Sequence, residues 1–328
     1  MYWLSLAYKM LRFRTVLMML LFLAIGDAAT KNSTTYDYRL LLMFPLLGFL
    51  FIIATSINDI ADEEIDKINL AKDESRPLAT NTAQKKQLIE LIIFSFIAAI
   101  ITASAINREA VMIVIISVFL SYIYSMPPIQ ISHRGILAPI LLPTNYVLLP
   151  YLLGASIHPG SWSKDAIVLV IGLYISFIGR IILKDFRDVE GDAKFGKRTF
   201  LVRYGPTKTC QAASVTWIIG DLFIVSLYIR TNPILIILLQ FFIAAIFYAL
   251  YALAREKKVA RQLILVNLVG RLGNSVALII LTELSLKYMK FTEAKNNLAL
   301  SAVALVGIYT SYYLYDLYKK SMPAKRTK

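Results

Sequence analysis

The sequence predicts an all-α protein that is embedded in a membrane. Three observations support this fold class: a mean hydropathy of +0.63, 58% apolar against 17% charged residues, and apolar stretches that recur along all 328 residues. Soluble domains carry about 25% charged residues, and a helix needs about 20 apolar residues to cross a bilayer. Because helices satisfy their own backbone hydrogen bonds in lipid, we expect these stretches to be transmembrane helices.

Ten apolar segments are candidates for such helices. They cover residues 15–30, 40–57, 88–106, 110–124, 136–157, 166–183, 210–229, 232–253, 262–283 and 297–316. The first follows Lys9, Arg12 and Arg14 as a secretory signal would, but we expect a first transmembrane helix because no soluble domain follows it. No Gly/Ser-rich linker divides the chain, so residues 1–328 are predicted to form a single transmembrane domain.

The distribution of Lys and Arg tests this topology. With ten spans and a cytoplasmic N-terminus, 25 of the 35 basic residues fall in cytoplasmic segments and 8 in external ones, while Arg180 and Arg271 lie within spans. Basic residues collect on the cytoplasmic side of membrane proteins and contact anionic lipid there. The net charge of +14 therefore indicates membrane lipid as the partner, and no nucleic acid.

Two short acidic segments contain more than half of the chain's carboxylates. Residues 59–74 contain 7 and residues 185–192 contain 4 of the 21 acids. Each segment directly follows an apolar span, the second or the sixth, and both are predicted to lie at the cytoplasmic face. Such a concentration of like charge beside a membrane predicts a binding site for cations.

The spacing within these segments indicates which acids act together. Residues three or four positions apart share one face of a helix. Like charges at this spacing destabilise the helix by roughly a few tenths of a kcal/mol per pair, and a bound cation would remove this repulsion. The residues with this spacing are Asn58, Asp59, Asp62 and Asp66 in the first segment and Asp185, Asp188 and Asp192 in the second. Oxygen ligands suit Mg²⁺, which completes its shell with water and substrate phosphates. Cys210, His133 and His158 are too few and too far apart for another kind of metal site.

These motifs resemble those of the UbiA superfamily of intramembrane prenyltransferases. The first reads "NDIADEEID" at 58–66 and is followed by "RPL" at 76–78; the second lies within "KDFRDVEGDAKFGKRT" at 184–199. The "YSMPP" stretch at 124–128 matches a Tyr-Ser-x-Pro-Pro-like stretch of many members. Together the matching motifs span roughly residues 40 to 210.

The resemblance implies a bundle of nine or ten transmembrane helices around a central cavity that opens laterally to lipid. It implies Mg²⁺-dependent transfer of a prenyl group from a prenyl diphosphate to a lipophilic, often aromatic acceptor, through ionisation of the diphosphate and capture of the carbocation. Members usually have nine helices. Either the segment that contains Arg271 and Asn274 is re-entrant or interfacial, or the region 262–316 includes an extra helix.

The resemblance also implies roles for individual residues. Two or more Mg²⁺ ions are expected on Asn58, Asp59, Asp62, Asp66, Asp185, Asp188 and Asp192. The diphosphate is expected to contact Arg76, Lys184 and Asn58. Catalysis is expected to involve Asp62, Asp188 and Tyr124, whose ring would stabilise the developing cation.

Several features keep more than one interpretation. Arg180 is expected either at the site or in a structural contact, whereas Arg271 and Asn274 are expected to link helices. The basic and aromatic stretch 194–208 suits an interfacial segment or a lid over the diphosphate, and His133 suits a basic cytoplasmic loop.

A divalent-cation transporter or channel and a terpene cyclase without an acceptor are the alternative functions, although transport sites usually lie near the bilayer midplane. Acceptor identity and prenyl chain length stay open.

Overall fold

The computed structural model describes residues 2–31, 37–70, 73–289 and 292–322, and all regular structure within these ranges is helical. The α-helices are α1 (Tyr2–Leu11), α2 (Phe13–Thr30), α3 (Arg39–Ala61), α4 (Glu63–Asn69), α5 (Lys85–Ile106), α6 (Arg108–Ser125), α7 (Leu137–Pro143), α8 (Leu149–Ala155), α9 (Lys164–Ile181), α10 (Asp185–Lys194), α11 (Phe200–Tyr228), α12 (Pro233–Arg255), α13 (Val259–Met289) and α14 (Glu293–Lys320). A π-helical turn joins α7 to α8, and a 3-10 turn joins α9 to α10.

Ten helical segments of the described ranges are long and apolar enough to cross a membrane. They are α2, α3, α5, α6, α7 with α8, α9 with α10, α11, α12, α13 and α14. The prediction of an all-α, multi-pass membrane protein with ten such segments is confirmed. The ninth is one unbroken helix of 31 residues that passes through Arg271 and Asn274, so it is not a broken, re-entrant piece.

The described residues form two compact units. The first unit comprises the described residues up to Val170 together with Asp188–Arg203; the second unit comprises Ile171–Arg187 and the described residues from Tyr204 onward. The predicted single domain over residues 1–328 stays a prediction, as does the predicted central cavity.

Glycines set the closest helix contact of the first unit. A Cβ added at Gly26 of α2 would lie 2.1 Å from the carbonyl oxygen of Tyr151, and one at Gly154 of α8 would lie 2.0 Å from that of Leu23. Small residues let membrane helices approach until their backbones touch. Because neither position accommodates a side chain, these two glycines fix the pairing of α2 with α8.

Helix α1 lies on the ends of α3 and α5 in the first unit. Its Leu6 and Met10 are buried in a cluster with Ile52, Leu88 and Leu91, while the opposite face exposes aromatic and aliphatic side chains. The Thr55 hydroxyl of α3 donates a hydrogen bond to the Met10 carbonyl at 2.8 Å. This attachment holds the C-terminal end of α1 beside the last turns of α3.

The second unit also uses small residues at its helix contacts. A Cβ at Gly220 of α11 would lie 2.1 Å from Ser176 Oγ of α9, and one at Gly307 of α14 would lie 2.6 Å from Ser275 Oγ of α13. Intramembrane polar groups meet across the same helices. Arg271 donates to the carbonyl of Thr310 at 3.1 Å, as expected for a residue that links helices.

Candidate functional site

The first acidic motif, residues 58–66, occupies the end of α3 and the first four residues of α4. Asp62 separates the two helices with φ −101° and ψ 15°, but its N–H donates to Asn58 O and its carbonyl accepts from Asp66 N–H, both at 2.8 Å. The i, i+4 spacing therefore continues through the kink. Asp59, Asp62 and Asp66 are all buried. Buried carboxylates are costly without partners of opposite charge, so cations are expected close by.

Arg76 is the first of these cations. Its Nη1 donates to Asp59 Oδ1 and, at 3.3 Å, to Asn58 Oδ1, and it lies 2.8 Å from Asp66 Oδ2. The resemblance of the motifs implies that this guanidinium contacts a diphosphate. In the structure it neutralises the first motif, so any role toward a diphosphate stays a prediction.

Arg12 is a second cation beside the motif. Its position in the sequence, just before the first span, indicated only a basic flanking residue. Arg12 sits between α1 and α2 in the left-handed conformation with φ 40°. Its Nη2 donates to Asp59 Oδ1 at 2.6 Å and weakly to the Ser75 carbonyl at 3.5 Å. No local pattern links position 12 to position 59; the contact exists because α1 packs on α3.

Asp62 faces a different set of partners. Lys197 Nζ donates to Asp62 Oδ2 at 3.2 Å, and the Asn58 amide donates to the same oxygen at 2.9 Å. His133 Nε2 lies 3.9 Å from Asp62 Oδ1, which is too long for a hydrogen bond. Burial raises the pKa of Asp62, but His133 and Lys197 outweigh it and lower the pKa to about 2. Asp62 is therefore ionised at neutral pH.

Asp66 has the opposite electrostatic balance. Burial raises its pKa to about 7; Arg76 opposes this shift, while the nearby carboxylates of Asp59, Asp62 and Asp188 add to it. Asp66 therefore titrates near neutrality, unlike Asp62 four residues earlier.

The second motif meets the first through Asn69 at the end of α4. The Asn69 amide donates to the Asp188 carbonyl at 2.8 Å, and its Oδ1 accepts from the Gly191 N–H at 2.6 Å. A Cβ at Gly191 would lie 2.6 Å from Asn69 Oδ1, so the glycine makes room for this contact. Lys197 adds a second link because its Nζ also lies 3.6 Å from Asp192 Oδ1. The structure thus brings the Asp188 backbone and the Asp192 side chain beside the first motif, and their roles as metal ligands stay predictions.

The roles of the remaining predicted residues stay predictions. Lys184 ends the 3-10 turn before α10 and Asp185 begins α10, and both belong to the second unit. Tyr124 is buried in the last turn of α6. Arg180 donates to the amide oxygen of Asn274 and its guanidinium lies 5.3 Å from the centre of the Phe177 ring, which places it in a contact between α9 and α13.

The chemistry of the first motif fits a divalent cation. Asp59 Oδ2 and Asp62 Oδ1 are buried and accept no hydrogen bond from the residues described. Such oxygens are the ligands that Mg²⁺ prefers. No three His, Cys, Asp or Glu side chains of the described ranges stand close enough to form a complete metal site. The carboxylates are thus suited to Mg²⁺ that takes few protein ligands, and the full ligand set stays a prediction.

Comparison with known proteins identifies the family of this chain. The sequence matches the UbiA prenyltransferase family over residues 17–270, more than half of the chain and including both motifs. The chain belongs to the UbiA prenyltransferase family. The resemblance in the motifs is confirmed, and so, at the level of the family, is the prediction of a prenyltransferase.

Two curated relatives show the range of this similarity. This UbiA-family chain is 23% identical to the digeranylgeranylglyceryl phosphate synthase of Sulfurisphaera tokodaii over 224 residues, which are 68% of this chain and 76% of that protein. It is 28% identical to the chloroplastic chlorophyll synthase of Arabidopsis thaliana over 163 residues, which are 48% of this chain and 41% of that protein.

A solved structure confirms the fold. The UbiA homologue from Archaeoglobus fulgidus, bound to DMAPP and Mg²⁺, matches with a TM-score of 0.58 and 16% identity, covering 94% of this chain and 99% of the homologue. At this identity the likeness supports the all-helical membrane fold alone.

Proposed function

We propose that this protein transfers a prenyl group from a prenyl diphosphate to a lipophilic acceptor within the membrane, and that the reaction requires Mg²⁺. One observation carries the proposal: the two Asp-rich motifs, about 126 residues apart in sequence, meet through Asn69 and Lys197 in the first unit. The family match and the complex of the Archaeoglobus fulgidus homologue with DMAPP and Mg²⁺ support it.

The proposed Mg²⁺ site uses both motifs. The ligands are Asn58, Asp59, Asp62, Asp66, Asp185, Asp188 and Asp192, directly or through water, and we propose that two or more ions bind. Bound Mg²⁺ acts as a Lewis acid that stabilises the charge of the departing pyrophosphate. Asp62, which is ionised at neutral pH, and Asp188 are the proposed essential members, one in each motif.

Basic and aromatic side chains complete the proposed site. Arg76 and Lys184 bind diphosphate oxygens with charge-assisted hydrogen bonds, and Asn58 supports them with its amide. Arg12 shares Asp59 with Arg76 and so orients that carboxylate. The Tyr124 ring stabilises the developing allylic cation through its π face.

The acceptor is proposed to be aromatic. The π electrons of an aromatic ring can capture a carbocation. A phosphorylated glyceryl ether is the second candidate, because the relative from Sulfurisphaera tokodaii is named digeranylgeranylglyceryl phosphate synthase and is matched over three quarters of its length. Both acceptors are lipophilic and reach the site from the membrane.

The position of the site favours an enzyme over the alternatives. Both motifs follow the apolar parts of their helices, and we place them, with the N-terminus, at the cytoplasmic face on the basis of the basic residues around them. A transporter would place its carboxylates near the bilayer midplane. A terpene cyclase would release pyrophosphate without an acceptor, which makes acceptor dependence the distinguishing measurement.

The test uses purified protein in detergent with Mg²⁺, labelled prenyl diphosphates of several chain lengths, and aromatic and glyceryl phosphate acceptors. We expect Mg²⁺-dependent pyrophosphate release and a labelled prenylated acceptor, and loss of both in Asp62→Asn and Asp188→Asn. Glu64→Gln is the matched control, because Glu64 lies two residues after Asp62, in the first turn of α4, with an exposed side chain. Pyrophosphate release without a prenylated product would favour the cyclase. A folded wild type that releases no pyrophosphate from any donor would contradict the proposal.

A further inference from the structure

Lys197 connects the two Asp-rich motifs but belongs to neither. It lies in the segment between α10 and α11, and its Nζ is 3.2 Å from Asp62 Oδ2 and 3.6 Å from Asp192 Oδ1. Its side chain is only 12% exposed. The ammonium is therefore buried between one carboxylate of each motif.

These two carboxylates are also proposed Mg²⁺ ligands, so Lys197 and Mg²⁺ would share the same carboxylate groups; on Asp62, Lys197 contacts Oδ2 while Oδ1 has no hydrogen-bond partner among the described residues. A Lys ammonium is a compact point charge, and like charges at this distance repel strongly in a buried site. Mg²⁺ on Asp62 or Asp192 would therefore displace Lys197 from at least one contact.

The backbone around Lys197 leaves the displaced side chain close to the site. The Lys197 N–H donates to the Asp192 carbonyl at 2.8 Å, which anchors the segment to the end of α10. Gly196 has φ 68°, and a Cβ built there has no neighbour within 4 Å. The backbone of the segment is thus fixed next to Asp192, with open space beside Gly196.

We propose that Lys197 is a positioning residue that couples metal binding to donor binding. Its ammonium competes with Mg²⁺ for Asp62 and Asp192, and after displacement it contacts the diphosphate of the donor. The diphosphate is the partner whose negative charge compensates a lysine beside bound Mg²⁺. This inference rests on the proposed function, because it needs the metal and the diphosphate at the same site.

The two halves of the proposal predict effects of opposite sign in Lys197→Gln. The first measurement is Mg²⁺ binding without donor, by calorimetry at constant ionic strength on protein that has been treated with EDTA and dialysed. We expect this binding to become about tenfold tighter, because a charge that close alters a carboxylate's affinity for a cation by about one to three decades. Binding of a non-hydrolysable prenyl diphosphonate at saturating Mg²⁺ is expected to become about tenfold weaker, because one charge-assisted contact is lost.

Two further variants control the experiment. Lys197→Arg keeps the charge and is expected to restore both affinities toward wild type. Lys194→Gln removes a charge from the exposed end of α10 and is expected to change neither affinity. A purely structural role for Lys197 would weaken both ligands in Lys197→Gln, and that result, or unchanged Mg²⁺ affinity, would overturn the inference. If folded wild-type protein binds neither Mg²⁺ nor the diphosphonate, the proposed function itself fails, and that failure appears in the wild type rather than in the variant.

Discussion

Charged and polar side chains are buried in both units, but their partners are arranged differently. In the first unit charged groups share partners. Arg12 and Arg76 both contact Asp59, and Arg76 also contacts Asp66. Lys197 contacts both Asp62 and Asp192. In the second unit Asp221 forms a simple pair, because both of its oxygens accept from the Gln240 amide at 3.0 and 2.9 Å. The comparison is therefore between the shared acids of the first motif and this closed pair.

The difference teaches how to separate structural from functional polar groups in a membrane protein. A closed pair satisfies both members and links two helices, which is the usual role of intramembrane polar residues. In the first unit Asp59 Oδ2 and Asp62 Oδ1 are buried and accept no hydrogen bond from any described residue, although cations surround these acids. Buried side-chain atoms without a hydrogen-bond partner among the described residues also occur in the second unit, for example Ser176 Oγ and Trp217 Nε1. The two atoms of the first motif differ in being carboxylate oxygens, which are costly to bury unpaired and which a cation would satisfy.

Asp59→Asn should break the shared network most severely. The amide keeps the shape but removes the carboxylate that Arg12 and Arg76 share. Part of the buried guanidinium charge then loses its counter-ion, although Arg76 keeps its contact with Asp66. We expect the free energy of unfolding to fall by about 3–5 kcal/mol, measured by denaturant titration in mixed micelles. Asp59→Asn combined with Arg12→Met should recover part of this loss. A variant as stable as wild type would show that the arginines find other partners and that Asp59 does not organise the site.

Removing Asn69 should loosen the connection between the two motifs. Asn69→Ala deletes the hydrogen bonds to Asp188 O and Gly191 N, which are worth about 0.5–1.5 kcal/mol each. Gly191→Ala should cost a similar amount, because the new Cβ would meet Asn69 Oδ1. In the double variant this clash is absent, so the two losses in unfolding free energy should not add. Simple additivity would mean that Asn69 and Gly191 act independently.

The helices and the acids could be predicted from sequence because both depend on local patterns. Hydropathy over about 20 residues identifies a span, and three- and four-residue spacing identified Asp59, Asp62, Asp66, Asp188 and Asp192. The kink at Asp62 was not predicted, but it keeps the helical spacing and so did not disturb that inference.

The cations that neutralise these acids could not be predicted, because their contacts depend on tertiary packing. Arg12 is 47 residues from Asp59, and Lys197 is 135 residues from Asp62. Arg76 was identified as a site residue but was expected on the diphosphate. The need to compensate buried carboxylates places it on Asp59 and Asp66. His133, expected in a basic loop, lies 3.9 Å from Asp62 Oδ1, a contact that also depends on tertiary packing.

The pH dependence of Mg²⁺ binding should distinguish Asp66 from Asp62. Because burial raises the pKa of Asp66 to about 7, this carboxyl is protonated below neutrality and must release its proton to bind a cation. We expect Mg²⁺ affinity to fall about tenfold per pH unit below pH 7, measured by calorimetry between pH 5.5 and 8. Asp62, with its pKa at about 2, should contribute nothing in this range. Asp66→Asn should flatten the profile; an unchanged slope would assign the proton to another group.

The smallest effect is expected at the closed pair of the second unit. Asp221→Asn keeps one acceptor oxygen for the Gln240 amide, and intramembrane hydrogen bonds of this kind are worth about 0.6 kcal/mol. Its unfolding free energy should therefore stay close to that of wild type, against the large loss in Asp59→Asn under the same conditions. Pyrophosphate release should also be unaffected, because nothing in this pair calls for a ligand. A strong loss of turnover in stably folded Asp221→Asn would show that a satisfied pair can also serve the reaction, and the contrast between the two units would then not separate structure from function.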